Sequence, residues 1–456
     1  MYSVFKLLII VILFSIISII ESNLAILIFS LILLCLGIIF IKLTLKHYLY
    51  YKSISLFLTF YTIYFLYSYL IYKTYVFNPF SDYFLGIDSV KYFSFTNDLL
   101  NESKSIIDGF RLISNTFIYS DIKGYLYIHF PIGYFANLVD HNDYFIQQLF
   151  ILFLASLVIV LLFNLFHNFL NVAQSHTLAI IYGLFGHIFV YSATLLRDLH
   201  ISFLFILGFY IIFNKKTYYN LLYLCLINFI VFNFRVEHGI FFMCFVIYYF
   251  YLLIKSNQKL FKIFPVILSV FIFVMLLFLK EYFIQSINIL TDTTSRYSSN
   301  AEELADPSGF GVLLLKLPPV IKEITRAGFS QILPFPSYSG INTSRGVQKY
   351  LAFPIIFSSL FWFTVWGYVI FGFKKGFLFR FINKDLIILF ILSLFLIIGA
   401  SSGSGDVRRL IAVYPIIFVV SGIVFYRISI KARYLIFYQM FIILSSLHLI
   451  YMLLKL

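Results

Sequence analysis

The stretch "YSATLLRDLHISFLFILGFYIIF", Tyr191 to Phe213, decides how the rest of the chain is interpreted. It is almost wholly apolar, yet Arg197, Asp198 and His200 lie in its middle. An ionised side chain deep in a lipid bilayer costs about 3 kcal/mol on insertion scales, so it usually has a partner or faces a cavity. The three residues therefore mark either the turn between two membrane spans or the wall of a polar site.

The composition of the whole chain points to a membrane. Of 456 residues, 62% are hydrophobic and only 11% are charged, whereas about one-quarter of an ordinary globular protein is charged. We therefore expect an all-α, polytopic transmembrane protein that forms one integral membrane domain over residues 1–456. The net charge of +14 is expected from basic cytoplasmic loops, so no nucleic-acid partner is predicted.

Apolar runs of about 20 residues, the length that crosses a bilayer, predict roughly 11 to 14 spans. The first run has no small-residue cleavage site and is interpreted as a retained span. The predicted spans lie near residues 4–20, 24–41, 53–72, 144–166, 175–195, 200–213, 218–234, 238–254, 262–279, 352–373, 385–400, 410–426 and 434–453.

The distribution of charge predicts the orientation. Lysine and arginine concentrate in alternate connections, beginning with Lys42, Lys46 and Lys52, and the positive-inside rule makes these connections cytoplasmic, with the N-terminus inside. Of the 19 acidic residues, only Asp385 then lies on the cytoplasmic side. The long loops 73–143 and 280–351 both fall on the outer face, where we expect the chemistry.

Each long loop contains a segment with helical periodicity. "SVKYFSFTNDLLNESKSIIDGFRLI" follows Asp88 in the first loop, and "GVLLLKLPPVIKEITRAGF" lies in the second. Apolar residues at helical spacing predict amphipathic helices on the membrane surface. A plain loop with short hydrophobic anchors is the alternative for the second segment.

Three short polar segments interrupt apolar sequence at successive outer ends, and each couples arginine to a carboxylate. They contribute Arg197, Asp198 and His200; Arg235, Glu237 and His238; and Asp406, Arg408 and Arg409. The planar guanidinium fork suits phosphate and pyrophosphate, so the segments predict one shared anion site. Local ion pairing without any ligand is the alternative for each segment taken alone.

Asp88 is the fourth element of this predicted site. A carboxylate at that position could act as general base on an acceptor hydroxyl if it lies within hydrogen-bond reach. Asp198 is the second candidate catalytic carboxylate. Asp82, Asp140 and Asp143 compete with Asp88, and a helix-capping role for Asp88 is the structural alternative.

Other motifs are missing. The sequence has no Walker loop, dinucleotide fingerprint, HExxH or GxSxG. Its three cysteines lie in apolar runs, and His and Cys are not grouped as metal ligands. We therefore expect no metal site and no cofactor, although a divalent cation is compatible with the chain.

The layout resembles membrane glycosyltransferases of the GT-C type, the protein-mannosyltransferase-like superfamily. The resemblance lies in the first-loop Asp with its aromatic-rich helix, in the pattern from Ser175 to Phe250, and in "SGSGDVRRLIAVYPIIFVV". It implies a polyprenyl-phosphate- or diphosphate-linked sugar donor, transfer at the outer face, Asp88 as base, and phosphate binding by Arg197, Arg235 and Arg408 or Arg409. Asp82 and Asp88 are six residues apart, which departs from the tighter acidic pair often found in that family.

The chain also resembles Wzy-type repeat-unit polymerases of O-antigen and capsule synthesis. These proteins too have two large periplasmic loops with arginines, which Arg296, Arg326 and Arg345 match here. Both resemblances imply glycosyl transfer in surface-polysaccharide synthesis at the periplasmic face of a bacterial inner membrane. The expected partners are a polyprenyl-linked donor, a glycan or lipid-linked acceptor, and other membrane proteins of polysaccharide assembly.

A flippase for lipid-linked oligosaccharide is the non-enzymatic alternative. A flippase is expected to place charges in the middle of several spans and to contain two similar halves. This chain concentrates its charges at outer ends and has no evident internal repeat. Transfer is therefore favoured over transport.

Overall fold

The computed structural model describes residues 2–76, 87–115, 122–214, 216–255, 317–331, 349–377, 380, 382–404 and 407–455. Helix accounts for 88% of the structure and no strand occurs in these ranges, which confirms the all-α prediction. In chain order the helices are α1 (Tyr2–Ile20), α2 (Leu24–Thr44), α3 (Tyr50–Ile71), α4 (Ile87–Glu102), α5 (Ile106–Asn115), α6 (Lys123–Val139), α7 (Tyr144–His167), α8 (Val172–Phe185), α9 (His187–Tyr191), α10 (Asp198–Phe213), α11 (Tyr218–Phe234), α12 (Val236–Lys255), α13 (Pro319–Ser330), α14 (Lys349–Lys374), α15 (Lys384–Ser404), α16 (Tyr414–Arg427) and α17 (Ile430–Lys455).

Each predicted span within the described ranges overlaps a helix, and the predicted span 262–279 lies outside them. The run 175–195 differs from the prediction because its helix breaks at Gly186, which has extended backbone angles. A Cβ at Gly186 would lie 2.5 Å from the carbonyl oxygen of Tyr182, so only glycine fits this break. After α9 the chain runs through the largely buried residues 192–197 before α10 begins.

Within the described ranges, six helices are long and apolar enough to cross a membrane. Large apolar side chains also face outward, including Leu222, Phe229, Leu435 and Phe441, each at least 54% exposed. Water solvates such a surface poorly, whereas lipid covers it at no cost. These properties suggest a membrane protein.

The helices run between two ends of the bundle that differ in charge. Helices α3 and α7 are antiparallel, because Tyr72 donates to Asp143 at one end and Asn164 donates to Ser53 at the other. Gln148 of α7 donates to the carbonyl of Ala193, so the segment 192–197 lies at the first end, which we call the site end. The opposite end, which we call the basic end, includes the ion pair between Lys216 and Asp385.

Helix α7 forms the centre of the bundle. Its most apolar window is 94% buried, against 11% for that of α17, although both helices are long and apolar. Helices α2, α3, α8 and α10 all pack against α7. Hydropathy alone cannot distinguish a central helix from a peripheral one, since both sides of a bilayer helix can be apolar.

The first long loop folds into helices that cover the site end. The helix predicted after Asp88 is present as α4 and α5, whereas α6 was not predicted. Helix α6 packs closely on α11, since a Cβ on Gly124 would lie 2.6 Å from the carbonyl oxygen of Asn233. In the second loop the described part includes α13, which overlaps the predicted amphipathic segment and packs against α15. The placement of these helices on a membrane surface stays a prediction.

Candidate functional site

Eight predicted site residues meet at the site end of the bundle, and we call them the arginine cluster. They come from five separate parts of the chain: the start of α4, the start of α10, the link between α11 and α12, the first turns of α12, and the 3₁₀ turn Val407–Leu410. The members are Asp88, Arg197, Asp198, Arg235, Glu237, His238, Arg408 and Arg409.

A buried ion pair forms the base of the cluster. Arg235 Nη1 lies 2.7 Å from Asp198 Oδ1, and the two side chains are only 4% and 2% exposed. Arg235 is held in place because it is the single extended residue between α11 and α12. Arg197 approaches the same link by donating from Nη1 to the carbonyl oxygen of Phe234 at 2.9 Å. The segments around Arg197 and Arg235, which the sequence predicted to share a site, are therefore in direct contact.

Glu237 connects the base of the cluster to the 3₁₀ turn. Its Oε1 lies 3.5 Å from Arg235 Nε and 3.9 Å from Arg409 Nη1. His238 Nε2 donates to the carbonyl oxygen of Arg409 at 2.8 Å, because a carbonyl can only accept. The third polar segment is thereby fixed against α12.

Asp88 and Arg408 form the accessible side of the cluster. Arg408 Nη1 lies 2.7 Å from Asp88 Oδ2, the same distance as in the buried pair, but these side chains are 19% and 41% exposed. An accessible carboxylate can reach a ligand that a buried one cannot. Of the two candidate catalytic carboxylates, Asp88 alone is open to solvent in this way, since Asp198 is buried.

Three helix N-termini point their positive ends at the cluster. Asp88, Asp198 and Glu237 lie in the first turns of α4, α10 and α12, where the helix dipole favours negative charge. Four arginines and three carboxylates leave one positive charge when His238 is neutral. The combination of helix N-termini and excess guanidinium favours binding of an anion.

One buried oxygen of the cluster lacks a partner. Among the described residues, no group hydrogen-bonds Asp198 Oδ2, although Oδ1 accepts from Arg235. A buried carboxylate oxygen without a donor is costly. The arrangement thus retains hydrogen-bonding capacity next to the guanidinium groups.

The remaining candidates lie elsewhere or outside the described residues. Arg326 is half-buried on α13, a separate helix from those that form the cluster, and is not included in it. Asp143 caps α7 and accepts from Tyr72, while Asp140 accepts from the Leu24 N–H and from His141. The hydrogen bonds from His141 and Leu24 lower the pKa of Asp140. The candidates outside the described residues are Asp82, Arg296, Arg345 and Asp406.

A chain of polar side chains behind the cluster, buried at its centre and half-buried at its Asn142 and Asn97 end, was not predicted from sequence. We call it the polar chain, and it consists of His200, His129, Gln147, Asn142 and Asn97. Only His200 was singled out from the sequence. The signal available for the others was a polar residue within an apolar run, as in "YIHFPIGYF" and "YFIQQLFILFL".

No protein-family model, curated protein or solved structure matches this chain. Within the described ranges, no group of three or more His, Cys, Asp or Glu side chains is arranged to hold a metal ion. The interpretation of the site therefore rests on the chemistry of the cluster itself.

Proposed function

We propose that this protein is a multi-pass glycosyltransferase of a bacterial inner membrane. It would transfer sugar from a polyprenyl-phosphate- or diphosphate-linked donor to an acceptor at the periplasmic face, in the synthesis of surface polysaccharide. The observation that supports this most is the convergence of four arginines with the half-exposed Asp88 at one end of an apolar helix bundle. The phosphate of a membrane-anchored donor would lie where its apolar chain enters the bilayer, and we assign the cluster to that level.

Exposure divides the cluster into two roles. Arg408 and Arg409 are 19% and 10% exposed, so they are the groups we assign to the donor phosphate, with Arg197 beside them. Arg235 and Asp198 are nearly inaccessible and bind each other. We assign them to holding the other residues of the cluster in place, since a ligand cannot reach side chains that are only 4% and 2% exposed.

In the proposed reaction the acceptor hydroxyl oxygen attacks the anomeric carbon of the donor sugar. The bond from that carbon to the phosphate oxygen breaks, and the phosphate leaves with the electron pair. Asp88 takes the hydroxyl proton as general base. Arginines near the leaving phosphate stabilise the charge that it gains.

Asp88 must be released from Arg408 for this role. In the structure its carboxylate oxygen Oδ2 is bound at 2.7 Å by that guanidinium and is occupied by that contact. A donor phosphate that draws Arg408 away would leave Asp88 free to accept a proton. The order donor first, acceptor second follows from this exchange.

The position of the cluster favours transfer over the flippase alternative. A flippase is expected to hold its polar groups near the midplane, where both faces can reach them in turn. The cluster instead involves the starts of α10 and α12 and the end of α11, which lie together at the site end. A Wzy-type polymerase is the second candidate, and it differs in whether one sugar or a whole repeat unit is moved.

The test is reconstitution of the purified protein in liposomes with polyprenyl-linked saccharides. We expect a new glycosidic product, detected by mass spectrometry, whose length separates single-sugar transfer from polymerisation. Arg408→Ala and Arg409→Ala should each reduce the rate by at least tenfold. Arg433→Ala is the matched control, because Arg433 stacks on Phe425 at the basic end.

Two results would contradict the proposal. Full activity in the combined Arg197→Ala, Arg408→Ala and Arg409→Ala variant would exclude the cluster as the donor site. Movement of lipid-linked saccharide across the bilayer without a new glycosidic bond would instead establish the flippase.

A further inference from the structure

The polar chain links the helix of Asp88 to the helix of Asp198. Asn97 lies on α4, nine residues or about two and a half turns after Asp88, and His200 lies on α10 two residues after Asp198. Between them the hydrogen bonds pass through His129 of α6, Gln147 of α7 and Asn142 in the connection between those helices. Four consecutive hydrogen bonds of 2.6 to 3.1 Å complete the connection.

All four hydrogen bonds of the polar chain have the same direction. Asn142 Nδ2 donates to Asn97 Oδ1, and Gln147 Nε2 donates to Asn142 Oδ1. Gln147 Oε1 can only accept, so His129 Nδ1 carries a hydrogen. In neutral His129 the Nε2 atom then accepts from His200 Nε2. Each amide orientation fixes the next, so the polar chain forms as one unit.

Burying the central members of the polar chain destabilises the fold unless all of their hydrogen bonds are made. Gln147 and His129 are 0% exposed and His200 is 2% exposed. A buried polar group that loses its partner costs about 1–3 kcal/mol, and an apolar core of the same shape avoids that risk. Gly133 of α6 leaves room for Leu100 and for the two amides, because a Cβ there would lie 2.8 Å from Leu100 Cδ1, 3.0 Å from Gln147 Nε2 and 3.2 Å from Asn142 Cγ.

We propose that the polar chain positions Asp88 over the arginine cluster, with Gln147 and His129 as positioning residues for the reaction. The inference rests on the proposed glycosyl transfer. Apolar packing alone lets a surface helix such as α4 slide, whereas directional hydrogen bonds specify one placement. With α4 fixed to α7 and α10, Asp88 stays within reach of Arg408 and of the acceptor.

The test compares Gln147→Leu with Asn164→Leu. Both residues are buried on α7 and both hydrogen-bond another helix, but Asn164 lies at the basic end and binds Ser53 instead. We expect Gln147→Leu to lower kcat by tenfold or more and to leave KM for the donor within twofold, since a misplaced base affects chemistry more than phosphate binding. Asn164→Leu should leave kcat within about threefold of wild type.

Hydrogen–deuterium exchange supplies a readout that needs no activity. Gln147→Leu should increase exchange of the amides of α4 while Asn164→Leu leaves them unchanged. Faster exchange of α4 with unaltered kcat would overturn the positioning role, as would equal effects of the two variants or unaltered exchange. A wild-type protein that makes no product from any lipid-linked saccharide would refute the proposed function, while exchange would still report whether the polar chain holds α4.

Discussion

Asp198→Asn and Asp88→Asn should separate stability from activity, because the two carboxylates make ion pairs of the same length at different depths. One oxygen of each carboxylate lies 2.7 Å from an arginine nitrogen, but Asp198 is 2% exposed and Asp88 is 41% exposed. Breaking a buried pair costs about 3–5 kcal/mol. We expect about 3 kcal/mol for Asp198→Asn, since Glu237 still faces Arg235 and the new amide oxygen still accepts.

The exposed pair contributes much less to the free energy of unfolding. Solvent screens Asp88 and Arg408, so Asp88→Asn should cost less than about 1 kcal/mol. The effects on turnover should be in the reverse order. Asp88→Asn should abolish turnover although the protein stays folded. Asp198→Asn should reduce turnover largely in proportion to the folded fraction.

Unfolding of the purified protein in mixed micelles, followed by circular dichroism, measures both free energies. The double variant Asp198→Asn with Arg235→Gln should cost less than the sum of its single variants, because each single variant removes the partner of a buried charge whereas the double variant removes both charges. Equal destabilisation by Asp88→Asn and Asp198→Asn would refute the reasoning from burial. Retained turnover in Asp88→Asn would refute its role as base.

The remaining predictions concern Gly133 beside the polar chain, the hydrogen bonds of Gln331 to the tryptophans, and the hydrogen bonds of Asp140. Gly133→Ala should displace the amide of Gln147 and lower the unfolding temperature, with faster amide exchange in α4 as the check. Gln331→Leu removes the acceptor shared by both tryptophan indoles of the chain, so it should cost about 1–3 kcal/mol in the same unfolding assay. The lowered pKa of Asp140 means that its hydrogen bonds stabilise the fold above pH 3.8 and lose effect below it. The unfolding temperature of Asp140→Asn should therefore be lower than that of wild type at pH 7 and converge with it as the pH falls below 3.8.

The sequence was sufficient to predict most of the helices, although it missed α6. Local periodicity and run length depend on neighbours within a few residues, so spans such as 144–166 and 218–234 could be predicted directly. The break at Gly186 was missed, because the run 175–195 is mainly apolar and the break depends on one glycine.

The sequence predicted which residues form the candidate site, but it did not predict which of them contact each other. The separate polar segments each contain arginine and a carboxylate, which indicated a shared site before any contact was known. Which arginine meets which carboxylate depends on the packing of helices far apart in the chain; His238 and Arg409, for example, are 171 residues apart. The partition into a buried pair and an accessible pair follows from α4 and α6 covering the site end.

The sequence by itself determined that this chain is helical and apolar, with charge concentrated at the helix ends, because these properties follow from local spacing and the cost of placing charge in an apolar medium. Only the tertiary structure decided that α7 is central, that Arg235 pairs with Asp198 across two helices, and that five polar side chains join α4 to α10. These features depend on which helix faces meet. When nearly every helix face is apolar, the hydrophobic pattern does not determine which faces pack together. Directional hydrogen bonds and ion pairs between distant residues determine it.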